Sequence, residues 1–121
     1  MPKVLSEEQV AGYHENGFVT PVPIFNADEV AACRADVENT EATMGDFFRG
    51  LGQTKFYLRF PWAFKMATHP KLLDAVEDLI GPNILCWGSS FFVKEPKSET
   101  FVSWHADTYY YGIAPQATVT A

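Results

Sequence analysis

Cysteine is scarce in this 121-residue sequence, with only Cys33 and Cys86 present and neither in a C-x-x-C or other metal spacing. No export signal points to an oxidising compartment, so both are expected as buried free thiols, not as a disulfide. Basic residues are also few: nine Lys and Arg against fifteen Asp and Glu give a formal charge of -6. The nine are scattered singly, so no basic stripe can neutralise a phosphate backbone, which excludes nucleic acid as a partner. Long apolar runs are missing. Nothing approaches the roughly 20 apolar residues of a membrane span, and the start, Met1-Pro2-Lys3-Val4-Leu5-Ser6, has no signal-peptide core. The chain is therefore expected to be soluble and cytoplasmic, with no membrane partner. Repeats, low-complexity tracts and linkers are absent as well, which leaves residues 1-121 as one unit.

What is present is apolar and aromatic, at 47% and 15% of the residues, enough for the core of one modest domain. Two segments share a helix-start grammar, a small polar cap followed three residues later by Gln or Glu inside an apolar bracket. They are Leu5-Ser6-x-x-Gln9-Val10 and Phe25-Asn26-x-x-Glu29-Val30. The first helix should run to about Glu15 and close at Asn16-Gly17, and the second should pass Val37 towards Asn39. A third begins at Pro70, places Leu73, Val76 and Ile80 on one face and stops at Gly81-Pro82. Phe18-Val19-Thr20 reads as a short strand limited by Pro21 and Pro23. Beyond the third helix the period changes, and Ile84 to Val93 and Phe101 to Tyr111 read as strands around a turn at Glu95 to Glu99.

The last residues, Ala117 to Ala121, follow a turn at Ala114-Pro115-Gln116 and read as the opening of another strand. Two strands and a beginning are too few to close a sandwich, so apolar residues such as Phe91, Trp104 and Tyr110 are expected to lack cover. The expectation is a chain that self-associates.

The chemistry is concentrated in Ser103-Trp104-His105-Ala106-Asp107. On an extended strand residues i and i+2 point the same way, so an imidazole and a carboxylate are aimed at one place. They would make two-thirds of the 2-His-1-carboxylate facial triad, which holds iron(II) on one side and leaves the rest of the metal open. Three histidines and six aspartates in 121 residues make His-x-Asp a chance event in about one chain in seven, so the motif needs its context. Read alone, it is sooner a half-buried strand histidine hydrogen-bonded to Asp107 or to backbone.

The context is the run His69-Pro70-Lys71-Leu72-Leu73 through Gly81-Pro82-Asn83-Ile84, then Phe91-Phe92-Val93-Lys94-Glu95-Pro96, then Trp104-His105-Ala106-Asp107. In order and spacing it resembles the phytanoyl-CoA dioxygenase family, and the opening around Leu5 to Gln9 and Asn16 to Val19 is similar as well. The resemblance implies an α+β fold: N-terminal helices followed by part of a double-stranded β-helix, or jelly roll, incomplete at the C-terminus. It further implies iron(II) as cofactor, with 2-oxoglutarate, dioxygen and an unidentified small molecule as substrates. His105 and Asp107 match the family's proximal metal ligands. Lys55 resembles a lysine that reaches the oxoglutarate site, and Ser90 falls near a strand position lining it, whereas Lys94 reads as structural. Ala106 stands where the family often has glutamine. Since Asp107 is a carboxylate, no metal position is vacated for halide, and hydroxylation is the implied outcome.

The family's distal histidine and its oxoglutarate-binding arginine have no counterpart, because the fourteen residues after Asp107 contain no His, Lys or Arg. His14 and His69 read as structural, the latter as a helix cap before Pro70. The chain is thus expected to be the N-terminal part of one phytanoyl-CoA dioxygenase-like domain and to turn over no oxoglutarate alone. Two other readings stay open. One is a non-catalytic jelly-roll ligand-binding protein, and the other a cupin-like metalloenzyme that does not use 2-oxoglutarate.

Overall fold

Both caps close as the sequence predicts. In this computed structural model, which describes residues 1–45, 48, 54–92, 94–115 and 117–121, helix α1 spans Glu7–Asn16. Ser6 Oγ accepts the Gln9 N–H at 3.1 Å while Gln9 Oε1 accepts the Ser6 N–H at 2.9 Å. Gly17 ends the helix in the left-handed conformation, φ 81°, its N–H donating to the Tyr13 carbonyl at 2.8 Å. Helix α2, Ala27–Met44, starts with the same exchange between Asn26 and Glu29, at 2.9 and 2.8 Å. It runs past Asn39, and two threonine hydroxyls in its last turns bond back one turn, Thr40 to the Asp36 carbonyl at 2.7 Å and Thr43 to that of Asn39 at 2.8 Å.

Helices α3, Phe56–Arg59, and α4, Pro61–Ala67, were not foreseen from periodicity; α5 is the expected Pro70–Ile80. Helix α4 packs on α3 and α2, and α5 packs on α1. Phe48, Phe56 and Ala63 form the buried core, with Val37, Met44, Phe60, Trp62 and Phe91 packed around them. Phe48, Phe56 and Phe91 make a triangle of rings with centroids 5.1 to 5.3 Å apart, the tilted and edge-on geometry that aromatic quadrupoles favour. The polar handle of this core is satisfied: Trp62 Nε1–H donates to Thr40 Oγ1 at 3.1 Å.

The N-terminus is fastened by one side chain. Asp78 on α5 accepts the N–H groups of Lys3, Val4 and Leu5 at 2.7, 2.8 and 2.9 Å, and Leu5 is buried beside it. Burial pushes the Asp78 carboxyl up, but the three N–H donors together outweigh it and hold the group below its ordinary value.

After Ile80 the structure departs from expectation. Among the described residues, β pairing is confined to a parallel bridge between Lys55 and Ser89, with Ser89 N–H on the Thr54 carbonyl at 3.0 Å and Phe56 N–H on the Ser89 carbonyl at 3.3 Å. Neither Ile84 to Phe92 nor Phe101 to Asp107 forms a ladder, and the tail of the second expected strand is a short helix, α6, Thr108–Tyr111. Phe18 to Thr20 also forms no strand pairing among the described residues. Val93 and Gln116, assigned to a strand and a turn, lie outside the described residues. The reason is elementary: a helix closes its hydrogen bonds within the segment, whereas a strand needs a neighbour to supply them. The jelly-roll sheet is accordingly not shown. The turn does form, with Ser98 N–H on the Glu95 carbonyl at 3.1 Å, Pro96 at its second position and Lys97 at φ 64°. Trp104 and Tyr110 are uncovered, at 98% and 78% exposure, but Phe91 is in the core. Cys33 and Cys86 are free thiols as expected, although half-buried and not fully enclosed.

Candidate metal centre

His105 and Asp107 meet. His105 Nε2 lies 2.9 Å from Asp107 Oδ1, and Nδ1 lies 2.7 Å from the Ser103 carbonyl oxygen. Strand alternation is not what joins them. Asp107 sits in helical conformation at the N-cap of α6, so a loop-to-helix junction folds the carboxylate back onto the imidazole. Each of the two side chains is a little over one-third exposed, at 39% and 35%. Both ring nitrogens face acceptors, which favours the doubly protonated ring. The Ser103 carbonyl does most to raise the His105 pKa, burial opposes it, and Asp107 adds to the rise. The remaining carboxylate oxygen is also engaged: Thr120 Oγ1–H donates to Asp107 Oδ2 at 2.7 Å. The Tyr110 ring stands edge-on to His105 with centroids 6.3 Å apart.

Lys55 occupies a separate cradle. Its ammonium donates to the Trp87 carbonyl and lies 4.9 Å from the Trp87 ring centroid and 5.9 Å from that of Tyr57. Tyr57 is fixed in turn by its hydroxyl on the Cys86 carbonyl at 3.0 Å and its N–H on Ser89 Oγ at 3.0 Å. Ser90 is exposed beside this bridge, and the hydroxyl facing the Lys55 segment is that of its neighbour Ser89. The cradle and the His105–Asp107 pair are linked by rings, since Trp87 packs on Tyr111 of α6 at 6.0 Å. His14 and His69 stand apart: His14 lies edge-on to Tyr13 in α1, and His69 faces Phe25 and Glu29 Oε1, the latter at 3.4 Å. His69 holds the cap position of α5 without capping it through its side chain.

A family model described as phytanoyl-CoA dioxygenase (PhyH) matches residues 13–121. The chain belongs to the phytanoyl-CoA dioxygenase family. No curated protein and no solved structure matches it. Members of the family are dioxygenases that use iron(II) and 2-oxoglutarate, so the pair can be tested against that metal. Two cis ligands at about 2.0–2.2 Å from an ion and at right angles are about 3 Å apart. The Nε2 to Oδ1 separation of 2.9 Å has that span. The axis between the two atoms is taken by their hydrogen bond, and an ion about 2.0–2.2 Å from each would sit to one side of it, so the imidazole and carboxylate must turn slightly to converge on a divalent cation. Nδ1–H on a backbone carbonyl is also the usual anchor of a metal-bound histidine. By donor type and spacing, an imidazole nitrogen and a carboxylate oxygen suit iron(II) as two of its ligands. No group of three His, Cys, Asp or Glu that could hold a metal is found among the described residues.

Sequence reading did not find Thr120, the Ser103 carbonyl, Trp87 or Ser89. Thr120 lies thirteen residues from Asp107, and nothing in its surroundings marks it out. Ser103 acts through its backbone, which no side-chain pattern reveals. No described helix is long and apolar enough to cross a membrane.

Proposed function

We propose that this chain provides the proximal half of the active site of an iron(II)- and 2-oxoglutarate-dependent dioxygenase that hydroxylates a small molecule. The observation carrying the proposal is the 2.9 Å approach of His105 Nε2 and Asp107 Oδ1 with Nδ1 anchored on Ser103. In this reading His105 and Asp107 hold the metal, Lys55 attracts a carboxylate of oxoglutarate, and Ser90 lines the same site. When bound, the metal and oxoglutarate supply the oxidising chemistry by consuming dioxygen. The chain's own contribution is to fix the two donor atoms, keep the proton on His105 Nδ1 against the Ser103 carbonyl and hold a cation at Lys55. The fold belonging to this reading is α+β, with a jelly roll following the helices.

Anaerobic addition of iron(II) and 2-oxoglutarate tests it. A visible metal-to-ligand charge-transfer band that His105→Ala and Asp107→Ala both abolish is the expected result. Metal binding with no oxoglutarate-dependent band would transfer the chain to a cupin-like reading. Binding of neither would leave the non-catalytic alternative, which the direct His105–Asp107 hydrogen bond also favours. In that case the pair only orders a loop.

A further inference from the structure

Building on the proposed metal reading, we infer that Thr120 is a positioning residue: its hydroxyl holds Asp107 Oδ2 and so presents Oδ1 alone, beside His105 Nε2, to the metal. A free aspartate can turn about its last torsion and offer either oxygen or both, since that torsion is broad and nearly two-fold. Here the two oxygens are made different. Oδ2 accepts the Thr120 hydroxyl at 2.7 Å and Oδ1 faces the imidazole at 2.9 Å. A carboxylate oriented by a hydrogen bond at one oxygen offers the other more readily, so binding through a single oxygen is favoured over chelation, and one more metal position stays open for substrates.

The imidazole is treated in the same way, with Nδ1 committed to the Ser103 carbonyl at 2.7 Å and Nε2 turned to Asp107 Oδ1. Each ligand is thus tied at the atom it does not offer. Such outer partners orient metal ligands, and losing one typically costs tenfold to a hundredfold in metal affinity. Thr120 is exposed and lies in none of the helices, so its replacement should leave the helical core intact.

The test compares Thr120→Val, which keeps the shape and removes the hydroxyl, with Thr120→Ser, which keeps the hydroxyl. Cobalt(II) binding by the full chain, followed by its visible spectrum, should weaken about tenfold to a hundredfold in the valine variant and stay near wild type in the serine variant. Without metal, the Asp107 carboxyl carbon resonance should move in the valine variant only. An unmoved resonance in T120V, equal cobalt affinity in T120V and wild type, or an equal loss in both variants would each overturn the assignment. If wild type binds no cobalt(II) but the resonance moves in T120V alone, the positioning of Asp107 stands and the metal reading of the pair falls.

Discussion

The chain up to Phe92 and the stretch from Lys94 onward solve the same problem in opposite ways. In the first, helices close their own hydrogen bonds, α2, α3 and α4 converge on Phe48, Phe56 and Ala63, and the half-buried Trp62 and the buried Thr40 have partners. In the second, Phe101, Trp104 and Tyr109 are more than four-fifths exposed, and the longer-range order gathers around one imidazole through Ser103, Asp107 and Thr120. The contrast teaches where each kind of information resides. The first region is held by apolar burial, which is strong and non-directional. The second is held by charge-assisted hydrogen bonds between exposed groups, which fix direction while contributing little stability.

The sharpest way to break this comparison is a matched pair of truncations. Phe56→Ala removes a ring that is 3% exposed and touches Phe48, Phe60 and Phe91. It should cost about 3–5 kcal/mol, the usual range for a core phenylalanine. Trp104→Ala removes a larger ring that is 98% exposed and should change stability by no more than about 0.5 kcal/mol. Its effect belongs to association: light scattering should show concentration-dependent self-association of the wild type, reduced in W104A. Equal urea midpoints for the two variants would dissolve the distinction between the regions, and a monodisperse wild-type monomer would remove the assembly role of the exposed rings.

The second prediction sharpens the first region from within. Asp78→Ala frees three N–H groups at once and should cost about 1–2 kcal/mol, since charged hydrogen bonds are individually stronger but this site is partly screened by solvent. The sign of the pH dependence follows from the lowered carboxyl pKa. The clamp's extra stability is complete above the ordinary aspartate value and is lost as pH falls through the lowered folded value. Acid should therefore release residues 3–5 before the rest, seen as earlier amide exchange at Val4 and Leu5. Exchange at these amides that is independent of pH, after correction for the intrinsic rate, would contradict it.

The same division explains what could be read in advance. The reciprocal caps at Ser6–Gln9 and Asn26–Glu29 join residues three positions apart and were legible, as was Pro70–Ile80 with its single apolar face. Helices α3 and α4 were not, because four and seven residues are too short for a period and their stability comes from packing on each other and, for α4, on α2. Asp78 could not be identified as the N-terminal clamp, since its partners are 73 to 75 residues away. At the candidate site the side-chain motif His105-x-Asp107 was legible, while the atoms that orient it, a backbone carbonyl and a threonine thirteen residues downstream, leave no local pattern. The segments rich in β-forming residues carried the composition of strands but not the identity of a partner, and pairing is a property of two segments.

The smallest expected effect lies at the Lys55–Ser89 bridge, inside the first region but beside Trp87, whose ring meets Tyr111 of the second. A Cβ added at Gly88 would meet the Thr54 carbonyl oxygen at 3.1 Å, close enough that one of the two must shift by a few tenths of an ångström. Replacing glycine by alanine also restricts the unfolded chain, which by itself favours the folded state by about 0.4–1 kcal/mol. The two effects oppose each other, so Gly88→Ala should change global stability by less than about 1 kcal/mol. The local consequence should be larger than the global one. Ser89 N–H bonds that same Thr54 carbonyl, and the neighbouring Trp87 supplies the carbonyl and ring that hold Lys55. Pushing the carbonyl away should loosen the bridge and disturb the Trp87 environment while the helices stay folded. In G88A the expected signature is a shifted fluorescence spectrum, traced to Trp87 by its absence in a Trp87→Phe background, with an unchanged urea midpoint. Loss of the helical signal along with the fluorescence change would mean that the bridge supports the core, and the boundary drawn between scaffold and site would have to move.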